Sequence, residues 1–449
     1  VTQANRIIVG LGTTGLSCAR YLHSLGETFQ IVDSRLDPPG LAELKAQFPA
    51  LKVTLGEFST AMLCEASELI VSPGISIQTP AIAAAREAGV AISGDIDIFS
   101  KAVRRPVVAV TGSNGKSTVV TLLAAMARKA GLRVGLGGNL DGAQAAPALD
   151  LLRQDEKDLY VLELSSFQLE TTQCLAARAA VILNVSDDHM DRYADKQEYA
   201  AAKQRIFNGA HSAVVNRDDI TSTPWSKDCA IAVSFGVSSP QHNEWGVVER
   251  EGEASLVFGG EFVLSAQSLK IAGRHNISNA LAALALGQAI DLPRQAMVEA
   301  LQEFPGLPHR CQWLRNLRGV DYFNDSKGTN VGASIVAIES LGEILKGKLV
   351  LIAGGVDKGA DFSVMVPVVA KFVKLAILIG RDAKNLANAF KDSIEIVFAS
   401  TLLEAVSIAA ARASTGDAVL LSPACASFDM FTDFTHRGRV FERAVEELQ

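Results

Sequence analysis

Residues 111–118 read Thr-Gly-Ser-Asn-Gly-Lys-Ser-Thr, and no other stretch constrains this chain so tightly. They follow Pro-Val-Val-Ala-Val (106–110), an apolar β-branched run of the kind that forms a buried parallel strand. They precede Val119–Lys129, whose apolar residues suit a helix packed on a sheet. A glycine-rich turn between such a strand and helix points backbone N–H groups and the positive helix end at an anion. In that geometry Gly112, Ser113, Asn114 and Gly115 form a phosphate cradle, Lys116 reaches the β- and γ-phosphates, and Ser117 or Thr118 offers a hydroxyl to Mg²⁺. The long phosphate-loop pattern has a glycine where this chain has Val110, so the match is to a shorter loop, G-S-N-G-K-[ST]. An ordinary strand-to-helix turn with a solvated lysine is the competing reading. The ordered succession of strand, loop, lysine, hydroxyl and helix counts against it.

A chain of 449 residues is too long for one core and points to two or three domains. Its formal net charge of −7 gives a nucleic-acid partner no electrostatic support. The six cysteines (18, 64, 174, 229, 311 and 425) are scattered and form no C-x-x-C pair, as expected in a reducing compartment. No apolar stretch reaches membrane-spanning length, and the N-terminus has no basic region followed by an apolar core. The expectation is a cytoplasmic protein without a membrane or nucleic-acid partner.

Strand–helix alternation runs through three segments. The first opens with strand Arg6–Gly10, the turn Gly10-Leu-Gly12-Thr-Thr-Gly15, a helix to about Leu25, and strand Phe29–Val32 ending at Asp33-Ser34-Arg35. Leu69–Gly74 and Val90–Ser93 are further strand units, and Lys101–Pro106 reads as a linker. The second segment adds strands Leu159–Leu164 and Ala179–Val185, a helix from about Lys196 to Asn208, short strands with polar turns over 211–272, and helix 276–290. Two prolines and a glycine in 303–308 mark the next boundary. Beyond it come strand Asp321–Asn324, helix 331–341, strands Leu349–Ala353 and Leu375–Ile379, a helix near 402–413, and strand Ala418–Leu421. The expected class is α/β with largely parallel sheets, in domains 1–100, 101–305 and 306–449.

Several constellations carry chemistry. The first turn is a G-x-G-x-x-G followed by an acidic residue, Asp33. It offers a diphosphate cradle and a polar strand tip that suit a dinucleotide with Asp33 on a ribose hydroxyl, or equally a nucleotide-diphosphate sugar. A plain packing turn is also open. Glu163 and Asp188-His189 lie at or beyond the carboxyl ends of two strands, where ligands of open parallel sheets gather. Carboxylate oxygens suit Mg²⁺, and His189 is a less common partner for it. Lys203 shares a helical face with Tyr199, Ile206 and Phe207. Snorkelling past apolar neighbours explains it, and so does a desolvated amine able to take up CO₂ as a carbamate. Three polar turns after strands, Asn324–Asn330, Gly354–Asp361 and Ser422–Asp429, suit a small ligand bearing carboxylates.

These motifs together resemble the Mur ligase family from end to end. The resemblance rests on Gly-Leu-Gly-Thr-Thr-Gly-Leu-Ser (10–17), Val-Ser-Pro-Gly-Ile (71–75), the 111–118 loop, and Leu-Glu-Leu-Ser-Ser-Phe-Gln-Leu-Glu (162–170). It continues in Asp-Asp-His-Met-Asp-Arg-Tyr (187–193), Gly-Arg-His-Asn-Ile-Ser-Asn-Ala (273–280), Leu-Pro-His-Arg (307–310), Asn-Asp-Ser-Lys-Gly-Thr-Asn (324–330) and residues 420–429. It implies a Rossmann-like N-terminal domain for a UDP-sugar, a central P-loop-type mononucleotide-binding domain for ATP, and a Rossmann-like C-terminal domain for D-glutamate. The implied reaction adds D-glutamate to UDP-N-acetylmuramoyl-L-alanine through an acyl phosphate, in cytoplasmic peptidoglycan precursor synthesis by a monomer.

Residue by residue, the resemblance puts the UDP-sugar at Thr13, Thr14, Asp33, Ser34, Arg35, Ser72, Pro73, Gly74, Asn139 and Ser165. It puts one Mg²⁺ at Ser117 and Glu163 and a second at His189 and carbamylated Lys203. ATP would meet Asn276, Asn279, Arg310, Asp325 and Lys327 besides the loop, with Lys116 neutralising charge during transfer. D-glutamate would meet Thr329, Lys358, Ser427, Phe428 and Phe434. The chain departs from the family pattern at Gly328, where alanine is expected, at Val356-Asp357, where Asp-Gly is commoner, and in an apparent insertion at 141–146. The rival readings are a folylpolyglutamate synthase-type ligase, an NAD-dependent oxidoreductase and a non-catalytic nucleotide-binding module. The first should lack the N-terminal diphosphate turn, and the second leaves the 111–118 loop idle. The third leaves Lys203 and the C-terminal turns unexplained.

Overall fold

A computed structural model describes residues 5–140, 145–186, 192–250, 253–271, 273–357 and 359–449. The chain divides into two compact units, one of Val1–Leu264 with Asn279–Leu301 and one of Ser265–Ser278 with Gln302–Gln449.

The first unit holds two sheets. Strands β1 (Arg6–Val9), β2 (Phe29–Asp33), β3 (Val53–Leu55), β4 (Glu68–Val71) and β5 (Ala91–Ser93) form a parallel sheet in the order β3-β2-β1-β4-β5. The order reverses at β1, so the crevice past its carboxyl end is where a ligand can enter between β1 and β4. Helix Thr13–Ser24 starts there, and a Cβ at Gly15 would stand 1.9 Å from the Gly10 carbonyl oxygen, so only glycine lets helix and turn approach so closely.

The second sheet comprises β6 (Val107–Thr111), β7 (Val134–Gly138), β8 (Leu159–Glu163), β9 (Ala179–Ile182), β10 (Ser212–Asn216), β11 (Ala230–Phe235), β12 (Glu244–Arg250), β13 (Glu253–Phe258) and β14 (Glu261–Ser265). Its order is β14-β13-β12-β11-β10-β9-β6-β8-β7. Strand β6 is buried along its whole length between β8 and β9, both parallel to it. Each of its valines stabilises the fold by roughly 1.5–3 kcal/mol through burial. That placement sets the 111–118 loop between Glu163, which ends β8, and Leu183-Asn184, which follow β9.

The second unit contains β15 (Gln312–Leu317), β16 (Val320–Asn324), β17 (Leu349–Gly354), β18 (Val373–Ile379), β19 (Glu395–Phe398) and β20 (Ala418–Leu421), in the order β15-β16-β20-β17-β18-β19. Apolar clusters cover both faces, one around Leu351 and Phe390 and one around Ile352 and Phe441. Strands β16, β20 and β17 are neighbours. The three polar turns expected from sequence therefore leave adjacent strand ends.

The sheets are largely parallel, as expected, with antiparallel pairs at β12–β13 and β15–β16. Two details differ from expectation. The supposed linker is partly helix, Asp95–Ala102. The helix expected to reach Asn208 is α-helical only over Lys196–Gln204 and tightens into a 3-10 turn at Arg205–Phe207.

Candidate active site

In the first unit, a cavity of about 570 Å³ opens at the end of β1. Thr13, Thr14, Asp33, Ser34, Arg35, Ser72, Pro73, Gly74, Asn139 and Ser165 all line it, so the ten positions that the resemblance assigns to a UDP-sugar come together. Thr13 and Thr14 begin helix Thr13–Ser24, which directs its N-terminus at the space. Asp33 has no solvent exposure. Its carboxylate accepts from Leu11 N–H at 2.7 Å, from Arg35 N–H at 2.9 Å, and from Arg35 Nε and Nη2 at 2.9 and 2.7 Å. Burial alone would raise its pKa, but the hydrogen bonds from Arg35 and Leu11 outweigh burial and hold it below the usual aspartate range. Asp33 thus fixes the glycine turn and aims Arg35. The expected direct bond to a ribose hydroxyl would have to compete with these internal donors.

On the opposite wall, Ser72 Oγ donates to Gly10 O at 3.0 Å, tying the 72–75 loop to the glycine turn. Ser165 caps helix Ser166–Glu170: its hydroxyl accepts from Gln168 N–H at 3.2 Å, and Gln168 Oε1 accepts from Ser165 N–H at 3.2 Å. Asn139 connects the cavity to the phosphate loop. Its amide donates to Glu163 Oε1 at 3.0 Å, while Ser117 Oγ donates to Glu163 Oε2 at 2.7 Å.

The loop itself is held from behind. Ser113 N–H donates to Asn184 O at 2.9 Å, Asn114 N–H to Asn184 Oδ1 at 2.9 Å, and Asn184 Nδ2 to Asn114 O at 3.1 Å. Gly115, at φ +85°, starts helix Lys116–Lys129, and a Cβ there would stand 2.3 Å from Asn279 Oδ1. Asn279 is therefore seated against the loop, one helical turn after Asn276 on helix Arg274–Ala289. Lys116 Nζ donates to Gly112 O and Ser113 O, both at 2.9 Å, and Thr118 is half-buried one turn into the helix.

Lys203 is 1% exposed, which removes the snorkelling explanation. Its helix carries it inward, with Nζ donating to Gly112 O at 2.9 Å and lying 4.4 Å from the centre of the Tyr199 ring. It stands directly behind the phosphate loop. Asp188 and His189 fall outside the described residues, as does most of the 141–146 stretch. Among the described residues no group of three His, Cys, Asp or Glu side chains is placed to hold a metal.

In the second unit the strand-end turns are knitted together by the backbone. Asp325 N–H donates to Leu421 O, Ala424 N–H to Gly328 O, Gly354 N–H to Pro423 O and Val356 N–H to Ala426 O. Asp325 is buried, accepting from Ser422 Oγ at 2.7 Å and Cys311 N–H at 3.2 Å, and burial pushes its pKa up to about 7. Arg310 is exposed, and Lys327 lies 4.1 Å over the Phe434 ring. Thr329 is half-buried, Ser427 is buried, and Phe428 is 73% exposed on the same loops. Lys358 falls outside the described residues.

One organising residue escaped the sequence reading. Arg437, 1% exposed on helix Phe434–Glu446, donates from Nε to Ser326 Oγ at 3.0 Å, from Nη2 to Ser326 O at 2.9 Å and from Nη1 to Cys425 O at 3.2 Å. Burial pushes its pKa down to about 10. Its signal was available. Residues 434, 437, 441, 444 and 445 share a helical face, so Arg437 interrupts an apolar stripe just as Lys203 does.

Comparison with known proteins identifies the family. Residues 4–94 match the MurD-like N-terminal domain of Mur ligases, 110–287 the Mur ligase middle domain and 309–425 the Mur ligase glutamate ligase domain. The chain is 53% identical to a UDP-N-acetylmuramoylalanine–D-glutamate ligase of Pseudomonas aeruginosa, covering 99% of this chain and 98% of that one. It is 53% identical to the protein of that name from Marinobacter nauticus, covering 100% and 99%. In fold it is similar to a UDP-N-acetylmuramate–alanine ligase from Thermotoga maritima, with a TM-score of 0.58 and 19% identity over 98% of this chain and 99% of that one. A UDP-N-acetylmuramoyl-L-alanyl-D-glutamate–2,6-diaminopimelate ligase gives 0.60 and 18% over 98% and 93%. On these grounds the chain belongs to the Mur ligase family, among the UDP-N-acetylmuramoylalanine–D-glutamate ligases.

Proposed function

We propose that this chain joins D-glutamate to UDP-N-acetylmuramoyl-L-alanine at the expense of ATP. In that reaction the γ-phosphoryl group passes to the terminal carboxylate of the nucleotide-sugar. The amine of D-glutamate then attacks the acyl phosphate, and the tetrahedral intermediate collapses with loss of phosphate. The observation that carries the reading is Asn139, which lines the 570 Å³ cavity and hydrogen-bonds Glu163, the partner of Ser117 in the phosphate loop. A carboxylate at that end of the cavity would lie beside the nucleotide phosphates.

The proposed roles are those that the family resemblance implies. Arg35, aimed by Asp33, and the Thr13–Thr14 helix start hold the uridine diphosphate, and Ser34, Ser72, Pro73, Gly74, Asn139 and Ser165 line the way to the muramoyl end. Lys116 and the loop N–H groups bind the phosphates and offset charge as it shifts between oxyanions. The family resemblance further assigns ATP contacts to Asn276, Asn279, Arg310, Asp325 and Lys327, and D-glutamate to Thr329, Lys358, Ser427, Phe428 and Phe434. The hydroxyl of Ser117 and the buried carboxylate of Glu163, 2.7 Å apart, are oxygen donors that suit Mg²⁺. A carbamate on the buried Lys203 would give a second such oxygen, with His189 as its companion. When bound, the metal ions neutralise phosphate charge. The proposal includes a monomeric cytoplasmic enzyme divided at residues 1–100, 101–305 and 306–449. Among the described residues no helix is long and apolar enough to cross a membrane.

The test is phosphate release from ATP. It should require both UDP-N-acetylmuramoyl-L-alanine and D-glutamate, with no change in nicotinamide absorbance when NAD is added. Release that proceeds with a folate substrate, or without D-glutamate, would refute the assignment.

A further inference from the structure

The 72–75 loop is held from two sides, and only one side belongs to the site described above. Facing the cavity it is open: a Cβ at Gly74 would meet nothing within 4 Å. Behind it stands Arg192. Its Nη1 donates to Pro73 O at 3.0 Å and its Nη2 to Ile75 O at 3.3 Å, the two carbonyls that flank Gly74. The same guanidinium is neutralised by Glu170, with Nε to Oε1 at 3.1 Å and Nη2 to Oε2 at 2.6 Å. Glu170 also accepts from Tyr193 OH at 2.6 Å. Burial, then that bond to Glu170, push the Tyr193 phenol upward, so it remains a donor. The Arg192 guanidinium carbon sits 4.3 Å from the centre of the Phe167 ring, and Phe167 is part of the cavity wall.

The consequence is directional. In a trans peptide the C=O and the following N–H point opposite ways. Pinning Pro73 O toward Arg192 therefore turns Gly74 N–H away from Arg192. A planar guanidinium, with five donors in a fixed fork, makes four bonds here, two to the Glu170 carboxylate and one to each carbonyl, and the three donors of an ammonium cannot make all four.

We propose that Arg192 is a positioning residue for the muramoyl end of the substrate: through Pro73 and Ile75 it fixes the loop whose open side that end of the substrate contacts. The inference rests on the nucleotide-sugar reading of the cavity. It gives Arg192 no part in holding uridine diphosphate, whose contacts lie at Thr13, Thr14 and Arg35.

The test uses the full chain and its Arg192→Lys variant, with UDP and UDP-N-acetylmuramoyl-L-alanine as calorimetric probes and steady-state kinetics alongside. The variant should bind UDP as the wild type does. Its affinity for the complete nucleotide-sugar should fall between about tenfold and about a hundredfold, the scale of lost charge-assisted hydrogen bonds. KM for the nucleotide-sugar should rise in parallel, with KM for D-glutamate and kcat nearly unchanged. Equal losses for UDP and for the nucleotide-sugar would show a merely structural arginine and overturn the proposal, as would unchanged binding of both. A wild-type chain that binds neither probe would instead overturn the nucleotide-sugar reading itself, without recourse to the variant. Tyr193→Phe, which leaves the guanidinium and its carbonyl acceptors in place, should shift nucleotide-sugar affinity less than Arg192→Lys. A larger shift would move the role from the arginine to the tyrosine.

Discussion

Asp33 offers the sharpest test of the nucleotide end proposed for the cavity, because its two jobs can be separated by substitution. In Asp33→Ala the N–H of Leu11, a residue with no solvent exposure, loses its 2.7 Å acceptor. An unsatisfied buried donor costs about 1–3 kcal/mol. The ion pair to Arg35 adds little to stability, since that side chain is 51% exposed and such pairs contribute at most about 1 kcal/mol. Its effect falls on binding instead. Released from Asp33, Arg35 must be ordered when ligand arrives, at about 0.5–1.5 kcal/mol for one mobile side chain. UDP should therefore bind roughly two- to twelve-fold more weakly. Asp33→Asn splits the effects: its one carbonyl oxygen can keep the Leu11 bond, while its NH₂ faces the donors of Arg35. Thermal unfolding should find the asparagine variant close to wild type and the alanine variant less stable, and calorimetry should find UDP weakened in both. Comparing UDP with its 2′-deoxy analogue on wild type and Asp33→Ala then tests the rival role. If Asp33 only aims Arg35, the deoxy change costs the same on both proteins. A larger cost on the wild type would mean that Asp33 bonds the ribose, and the positioning account would be wrong.

Three further outcomes are expected. Gly115→Ala forces a side chain into φ +85° and brings its Cβ 2.3 Å from Asn279 Oδ1, so KM for ATP should rise at least about tenfold in a folded protein; unchanged KM would mean that the loop relaxes freely. Lys203→Ala should be nearly inactive, and a small carboxylic acid, but not a neutral additive of similar size, should restore part of the turnover; full activity without additive would remove the carbamate. Asp325 has a raised folded pKa of about 7, so the folded state holds a proton that the unfolded chain releases near pH 4. Its contribution to stability is complete below the unfolded value and is lost as pH rises to about 7. Asp325→Asn should flatten that slope in thermal unfolding, and an unaltered slope would assign it to another group.

The elements that were legible in the sequence are those whose burial is continuous. Strands β6, β8, β9, β17 and β20 are buried end to end and read as apolar runs. Strand β7 (Val-Gly-Leu-Gly-Gly) did not, because three glycines erase the apolar signal. Helix Phe434–Glu446 was missed for a related reason. Gly438 looks like a break, yet a Cβ there would stand 2.2 Å from His309 Nδ1, so this glycine marks close packing inside a continuous helix. The lining of the cavity at the end of β1 was legible residue by residue because its walls are strand-end turns with their own glycine, serine and proline chemistry. Its support was not. Arg192 was quoted only as part of a motif, and nothing local indicates that it reaches Pro73, 119 positions away.

The two buried cations show why local pattern stops short of the site. Lys203 and Arg437 each interrupt the apolar stripe of a helix, and periodicity treats such a residue as a solvent-seeking exception. At 1% exposure neither seeks solvent. Each uses its donors on the carbonyl oxygens of a strand-end loop: Lys203 on Gly112, and Arg437 on Ser326 and Cys425. A loop that must present N–H groups to an anion turns carbonyls the other way, and those carbonyls need donors behind them. An ammonium with three donors and a guanidinium with five can meet that need, whereas a carboxylate has none to give. In this chain a cation on an apolar helical face is therefore the sequence trace of a strand-end loop elsewhere whose carbonyls it serves. Its partner can be found only once the fold brings together residues 91 or 111 positions apart.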